Sequence, residues 1–205
     1  MDRVTVLLDG EPALVLSALA AHQLGLRKGH MVDAEGWRHA TEVAEAEAAE
    51  SAAARLLTAR ARTRQDLRRR LAARFPEPAI DQALDHLRAT GALDDEAFAR
   101  HWLESHTGSR ALGARALRAG LQREGVPASM AKRLVAEYTQ RADVPPEAEA
   151  ALALARSVAA RYRSLPADQA AQRLWALLAR RGFAPEAARR AVRTALAIEV
   201  DGDDP

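Results

Sequence analysis

The stretch TRQDLRRRLAARFPEPAIDQALDHLRATGAL, residues 63–93, decides the fold. Leu67 and Leu71 stand four apart, a break follows at Phe75-Pro76-Glu77-Pro78, and a second apolar series runs through Ile80, Leu84 and Leu87. Apolar residues three and four apart mark one face of a helix, so the stretch reads as two amphipathic helices around a short connection. Thr63 with Asp66 three residues on has the spacing of a capping box, and Gly91 suits the left-handed position just past the second helix. A further amphipathic segment, SAAARLLTAR, precedes the pair.

The same leucine pair returns at Leu117/Leu121 and again at Leu174/Leu178, at offsets of 50 and then 57 residues. Each is followed by a break and a second apolar helix, GVPASMAKRLV and GFAPEAARRAV, and preceded by another, DEAFARHWLES and EAALALARSVAARY. Ile80 and Met130 lie nine residues after the second leucine of their units, whereas the third unit carries Ala187 there and places its large residue at Val192. Gly125 and Gly182 occupy equivalent helix stops, Pro127 and Pro185 suit first helical turns, and Val144-Pro145-Pro146 forms a stiff joint. Three copies of a three-helix unit follow, strung so that each contacts chiefly its neighbours. The expected fold class is all-α, an elongated tandem array of three three-helix repeats over residues 47–93, 94–143 and 144–200, closed by an acidic tail at 201–205.

Residues 1–46 form a small N-terminal extension of different character. VTVLL and ALVL flank Asp9-Gly10, the dipeptide a tight hairpin turn prefers, so a β-hairpin is expected. A short helix from Ser17 to Leu24 stops at Gly25, and Glu42, Glu45, Glu47 and Glu50 read as a solvated acidic helix start or a linker.

Composition narrows the chemistry. The 205 residues include 28 arginines against 2 lysines, 49 alanines and no cysteine, with a net charge of +2. Alanine and arginine both favour helix. Without cysteine there is no disulfide, thiolate zinc site, iron–sulfur cluster or Cys nucleophile, and a reducing cytoplasm is the expected compartment. The start, MDRVTVLLDGE, lacks the basic-then-apolar layout of a signal peptide, and no apolar run approaches the roughly 18 residues that span a bilayer. His101 and His106 are five apart, not the four that let two imidazoles on one helix face share a zinc. Phosphate loops and G-x-S-x-G are absent, and Asp94-Asp95-Glu96 reads as helix capping rather than a magnesium site. No enzyme, cofactor or metal is expected.

What remains is positive charge on helices. Between Arg55 and Arg74 stand eight arginines and one acid, Asp66, a net +7. At about 100° per residue Arg69 lies nearly opposite the Leu67/Leu71 stripe, with Arg68 and Arg70 to either side. Arg115 likewise points away from Leu117/Leu121 and Arg118 flanks them, so a basic rim across two units is expected. Arg62, Arg64 and Arg110 complete the candidate partner-binding set. Arginine suits an anionic partner because its planar fork pairs bidentately with phosphate and carboxylate alike. Trp102, Tyr138, Tyr162, Trp175, Phe75, Phe98 and Phe183 mostly fall on or beside apolar stripes, where core packing is expected, which disfavours strong autonomous single-strand binding.

GALDDEAFARHW followed by SRALGARALRAGLQREGV resembles the RecX family, regulatory proteins of the bacterial RecA recombinase. The matching residues are Leu93, Asp94, Asp95, Phe98 and Ala99, then Arg110, Gly113, Leu117, Leu121 and Gly125, with AARLLTARARTRQDLRRRL in the first unit. The resemblance spans roughly residues 47 to 198, and VLLDGE with GLRKGHMVD looks like an extension that some members carry. It departs from the family in the longer, alanine-rich third unit and in FPEP, where a glycine often stands. It implies a monomeric, non-enzymatic modulator that lies in the groove of the RecA nucleoprotein filament and limits filament growth, ATP hydrolysis and strand exchange, restraining recombination, DNA repair and the SOS response. Contact with single- or double-stranded DNA is then weak or indirect, and Asp94, Phe98 and Gly113 are structural. A duplex-binding regulator in which a basic helix imitates a helix-turn-helix is the alternative, and a generic helical scaffold a third.

Overall fold

The structure, a computed structural model, describes residues 2–106 and 111–200, the side chains of 197–200 excepted. Asp9 and Gly10 both take positive φ, 51° and 90°, the turn that pairs β1 (Arg3–Leu8) antiparallel with β2 (Glu11–Ser17). The register runs from Arg3 opposite Ser17 to Leu8 opposite Glu11, with an irregularity between Val6 and Leu7. Leu16 is buried from this hairpin, together with Ala20 of α1 (Ala18–Gln23) and Ala44 of α2 (Ala34–Ala59).

α2 differs from the expected solvated acidic helix start or linker, for it begins at Ala34, ahead of these acids, Glu42 to Glu50. It runs 26 residues without interruption, straight through positions 46–47, on a buried face of alanines 40, 44, 46, 49, 52 and 53. Glu47 is not merely solvated: its carboxylate accepts hydrogen bonds from the Ser17 N–H and the Ser17 hydroxyl, each at 2.6 Å. A charged acceptor with two donors fastens the hairpin to the helix that leads into the first repeat.

α3 (Arg64–Leu71) and α4 (Glu77–Ala89) complete that repeat. Leu67, Leu71, Ile80, Leu84, Leu87 and Leu93 form its core with Ala52 and Ala53. Thr63, fully buried, accepts at its Oγ1 from the Asp66 N–H at 3.2 Å. Asp95, one of two acids expected to cap the following helix, turns its carboxylate to the N–H of Arg64 at 2.8 Å and so caps α3. Burial raises its pKa.

The chain divides into two compact units, Met1–Asp95 and Glu96–Pro205. In the second, α5 (Asp95–Glu104), α6 (Ala114–Arg123) and α7 (Ala128–Thr139) enclose Ala99, Leu103, Leu117, Leu121, Leu134 and Val135, with Phe98 packed against them. α8 (Glu147–Ala159), α9 (Ala167–Arg180) and α10 (Pro185–Val200) enclose Leu154, Leu174, Leu178 and Phe183. Alanines 151 and 155 of α8 share this core with alanines 188, 191 and 195 of α10, so small residues fill it where α4 and α7 bring Leu84 and Leu134.

α6 and α9 end alike. Gly125 and Gly182 take φ of 96° and 77°, and the residues after them return N–H groups to the preceding turn, Val126 to the Leu121 carbonyl at 2.9 Å and Phe183 to the Leu178 carbonyl at 3.2 Å. α3 has no such glycine; Phe75 returns its N–H to the Leu71 carbonyl at 3.1 Å and packs on the core. Glu96, Arg100, Arg133 and Glu137 join α5 to α7 in a closed ring of alternating charge, with contacts of 2.6 to 3.0 Å. Hydrogen bonds from Arg133 and Arg100 hold the Glu96 carboxyl at a pKa of about 2.

Gly113 precedes α6 with an ordinary φ of −72°, so backbone conformation does not demand glycine there. Space does: a Cβ would lie 2.3 Å from the Gly182 carbonyl oxygen and 2.4 Å from the Phe183 Cα. Gly120 sits under the Trp102 ring, where a Cβ would meet the indole at 2.3 Å. Overpacking of this kind costs about 1–3 kcal/mol. Gly113→Ala is expected to lower stability to urea by about 2 kcal/mol or more, and by more than Gly120→Ala. The indole in the second case can shift, whereas a helix-terminal backbone cannot.

Candidate partner-binding face

The arginines of α3 are not a free rim. Leu67 and Leu71 are buried as expected, and Arg69 opposite them is 61% exposed. All four arginines of α3, Arg69 included, are drawn into ion pairs that local sequence counting understates. Glu77, Asp81 and Asp85 of α4 lie alongside: Arg68 pairs with Glu77 at 3.0 Å and also with Asp81, and Arg64 with Asp81 and Asp85 at 3.0 and 2.9 Å. The expected density of +7 is therefore partly compensated by the neighbouring helix.

Asp66 is the hub on the other flank. Its side chain is only 12% exposed and accepts from Arg62 at 2.8 Å, Arg70 at 2.9 Å and Arg69 at 3.1 Å, with Arg60 at 4.0 Å. Burial pushes its pKa up, but hydrogen bonds from Arg70, Arg62 and Arg69 outweigh that and hold it at about 2. Part of the signal for this hub was in the sequence, because Arg69 and Arg70 stand three and four residues after Asp66 on one flank of α3, whereas Arg62 precedes the helix and reaches Asp66 from outside it.

Arg62 corrects the expected set. Its side chain is 9% exposed, with Nε donating to the Leu56 carbonyl at 3.2 Å, so it ties α2 to α3 and cannot reach a partner. Arg64, Arg68 and Arg70 keep part of their surface beside fixed carboxylates, and Arg69 projects furthest.

In the second unit Arg115 donates to the Ala179 carbonyl at 2.9 Å and Arg118 to the Ala114 carbonyl at 3.3 Å. Both line a groove of about 360 Å³ with Trp175, Glu147 and the first turn of α10. Trp175 was expected in the core and is 43% exposed, because Leu174 and Leu178 take the buried face of α9. Arg110 lies outside the described residues. Leu93, Leu117 and Leu121 are core residues, Phe98 is half-buried against that core, and Asp94 is exposed.

Chemistry beyond charge is sparse. No group of three His, Asp or Glu residues among those described could hold a metal ion, and no described helix is long and apolar enough to cross a membrane. His106 is engaged by Trp102, ring on ring at 3.8 Å with its Nδ1 at 2.7 Å from the Trp102 carbonyl oxygen.

The depressed pKa of Asp66 sets a pH signature. Its ionised form is favoured by the fold, so its contribution is complete above about pH 5 and is lost as pH falls toward 2. A shift from 3.8 to about 2 corresponds to about 2 kcal/mol. Asp66→Asn is expected to cost about that much at neutral pH, with the gap to the unsubstituted chain narrowing by about half near pH 3 in urea titrations. A gap independent of pH would show that charge is not what Asp66 contributes.

Residues 49–87 match the first three-helix domain of RecX, residues 94–133 the second and residues 146–192 the third. Regulatory protein RecX of Streptomyces coelicolor is 36% identical over 151 residues, covering 73% of this chain and 77% of its own length. That of Mycobacterium ulcerans is 37% identical over 163 residues, 78% of this chain and 92% of the relative. That of Thermobifida fusca is 38% identical over 160 residues, 74% and 82% of the two chains. A crystal structure of regulatory protein RecX shares the fold with a TM-score of 0.76 at 24% identity, covering 90% of this chain and 92% of that one. RecX from Lactobacillus salivarius does so with a TM-score of 0.63 at 17% identity, covering 75% and 97%. Three domains matched in chain order, and relatives this similar over most of their length, make the chain a member of the RecX family of regulatory proteins.

Proposed function

We propose that this chain acts in the cytoplasm as a monomeric, non-enzymatic regulator of the RecA nucleoprotein filament, limiting its growth, ATP hydrolysis and strand exchange and so restraining recombination, repair and the SOS response. Family membership supports the regulatory role. The observation that carries the choice of surface is the α3 face, where Arg68, Arg69 and Arg70 are held in place by Asp66, Glu77 and Asp81. Guanidinium groups fixed in this way lose little conformational freedom on meeting an acidic surface, and each keeps donors that its present partner does not use. In this reading residues 47–93, 94–143 and 144–200 are the three repeats, and the first presents the principal contact.

The α3 arginines also weigh against the duplex-binding alternative. A helix that reads a major groove needs its basic side chains free to meet phosphates and base edges, and here the carboxylates of α4 occupy one flank of α3.

The measurement is RecA-catalysed, single-strand-dependent ATP hydrolysis with the chain titrated in. Suppression is expected at protein amounts too low to coat the DNA. Arg69→Glu, a substitution of the most exposed of the α3 arginines, is expected to weaken inhibition about tenfold or more, since a reversed charge in a complementary interface costs several kcal/mol, with the helical circular dichroism unchanged at the assay temperature and the melting temperature lowered by loss of its pair with Asp66. Full inhibition by Arg69→Glu would exclude this face, and suppression only when the DNA is saturated would exclude the filament as the target.

A further inference from the structure

The hairpin has one closed edge and one open edge. On β2, the Ser17 N–H donates to Glu47 of α2 and the Val15 carbonyl accepts from the Arg3 guanidinium at 3.2 Å, so both backbone groups point away from β1. Backbone groups alternate in direction along an antiparallel ladder, so the cross-strand partners of these residues, Arg3 and Thr5, point theirs away from β2. The bond from the Ala18 N–H to the Asp2 carbonyl at 2.9 Å fixes the same phase. The N–H and C=O groups of Arg3 and Thr5 therefore line the outer edge of β1, where no described element meets them with a hydrogen bond. Nothing blunts that edge. Val4 to Leu8 include no charge and no proline, and the irregularity of the ladder falls on β2, where Ala13 has no partner. Of six large apolar side chains exposed among the described residues, five lie between Leu7 and Met31, and Leu7 and Leu8 stand on β1 itself. Acids frame the strand. Asp2 precedes it and Asp9 and Glu11 follow, all exposed and without an ion pair among the described residues, while Arg3 turns its guanidinium back onto β2 and Ser51.

From this arrangement we infer that β1 is a docking strand, to which an extended segment of a partner protein adds as the third strand of the sheet. The segment carries apolar side chains at alternate positions and Lys or Arg at its ends. Three features converge on that occupant. The outward donors and acceptors of Arg3 and Thr5 match the main chain of an extended peptide and no other common structure, since a helix has already satisfied its own backbone groups. The exposed Leu7 and Leu8 offer apolar cover to side chains on an added strand, and a third strand strengthens a hairpin that is marginal as a pair. The carboxylates of Asp2 at one end and of Asp9 and Glu11 at the other complement basic ends, whereas a second copy of β1 would bring the same three acids and be repelled. The site shares no residue with the α3 face and does not depend on a recombinase being present.

Fluorescence polarisation of an end-labelled peptide, Lys-Val-Thr-Val-Thr-Val-Lys, titrated with the full chain tests this directly. Binding is expected, and in amide exchange the N–H groups of Arg3 and Thr5 should gain protection while those of Val4 and Val6, already directed at β2, change little. The same peptide N-methylated at its five central residues should bind about tenfold more weakly or not at all, because its main-chain donors are gone. Glutamate in place of both lysines should cost about tenfold as well. Thr5→Pro removes an N–H that the ladder does not use, so the hairpin should persist and binding should be lost. Absence of binding would overturn the proposal, as would equal affinity for the N-methylated or the glutamate-ended peptide, or undiminished binding by Thr5→Pro. Sedimentation showing that the chain alone forms dimers which Thr5→Pro dissolves would assign the edge to a second copy and overturn it too. Arg69→Glu should bind the peptide normally, so failure of the docking strand and failure of the filament reading give different results.

Discussion

A buried carboxylate makes the arginine-dense helix of the first repeat foldable. Like charges four apart on a helix repel, and α3 carries Arg64, Arg68, Arg69 and Arg70 within a single pair of turns. Asp66 gathers Arg62, Arg69 and Arg70 on one flank while Asp81 and its neighbours on α4 gather Arg64 and Arg68 on the other. The helix can then press Leu67 and Leu71 into the core without leaving its charges to repel one another. The same pairing orients the guanidinium groups, so the arrangement that stabilises the repeat also prepares its surface for a partner.

The later repeats solve the same packing problem by different means. Between α6 and α9 the close contact is made by Gly113 and Gly182, where backbone meets backbone and no side chain fits. Between α8 and α10 it is made by alanines. Charge there is left unpaired instead of neutralised: Arg115, Arg118 and Arg193 stand beside an exposed indole. One repeat design thus presents two kinds of basic surface, one braced by carboxylates and one open.

Much of the fold was legible in the order of residues. The leucine pairs, the glycine stops at 125 and 182 and the Asp9-Gly10 turn are local devices, each specified within a few residues, and each forms where its spacing places it. The candidate site was legible only in part. Arg69 faces away from the stripe as helical angle requires, but the burial of Arg62 depends on the Leu56 carbonyl and the Asp66 carboxylate meeting it from two sides. Glu47 looked like one of four solvated acids until the hairpin brought Ser17 to it.

The sequence by itself determined what periodicity, turn chemistry and composition control: a helical chain in three repeats behind a β-hairpin, with arginine as its dominant charge and no metal-binding thiolates. Only the tertiary structure decided which charges remain available, because neutralisation depends on which helix lies alongside. Asp81 stands 13 residues from Arg68 and Asp95 stands 31 from the backbone of Arg64, distances at which helical periodicity says nothing. Trp175 illustrates the same limit: it adjoins a buried leucine in sequence, and its exposure follows from α9 burying Leu174 and Leu178 and leaving the next residue to water.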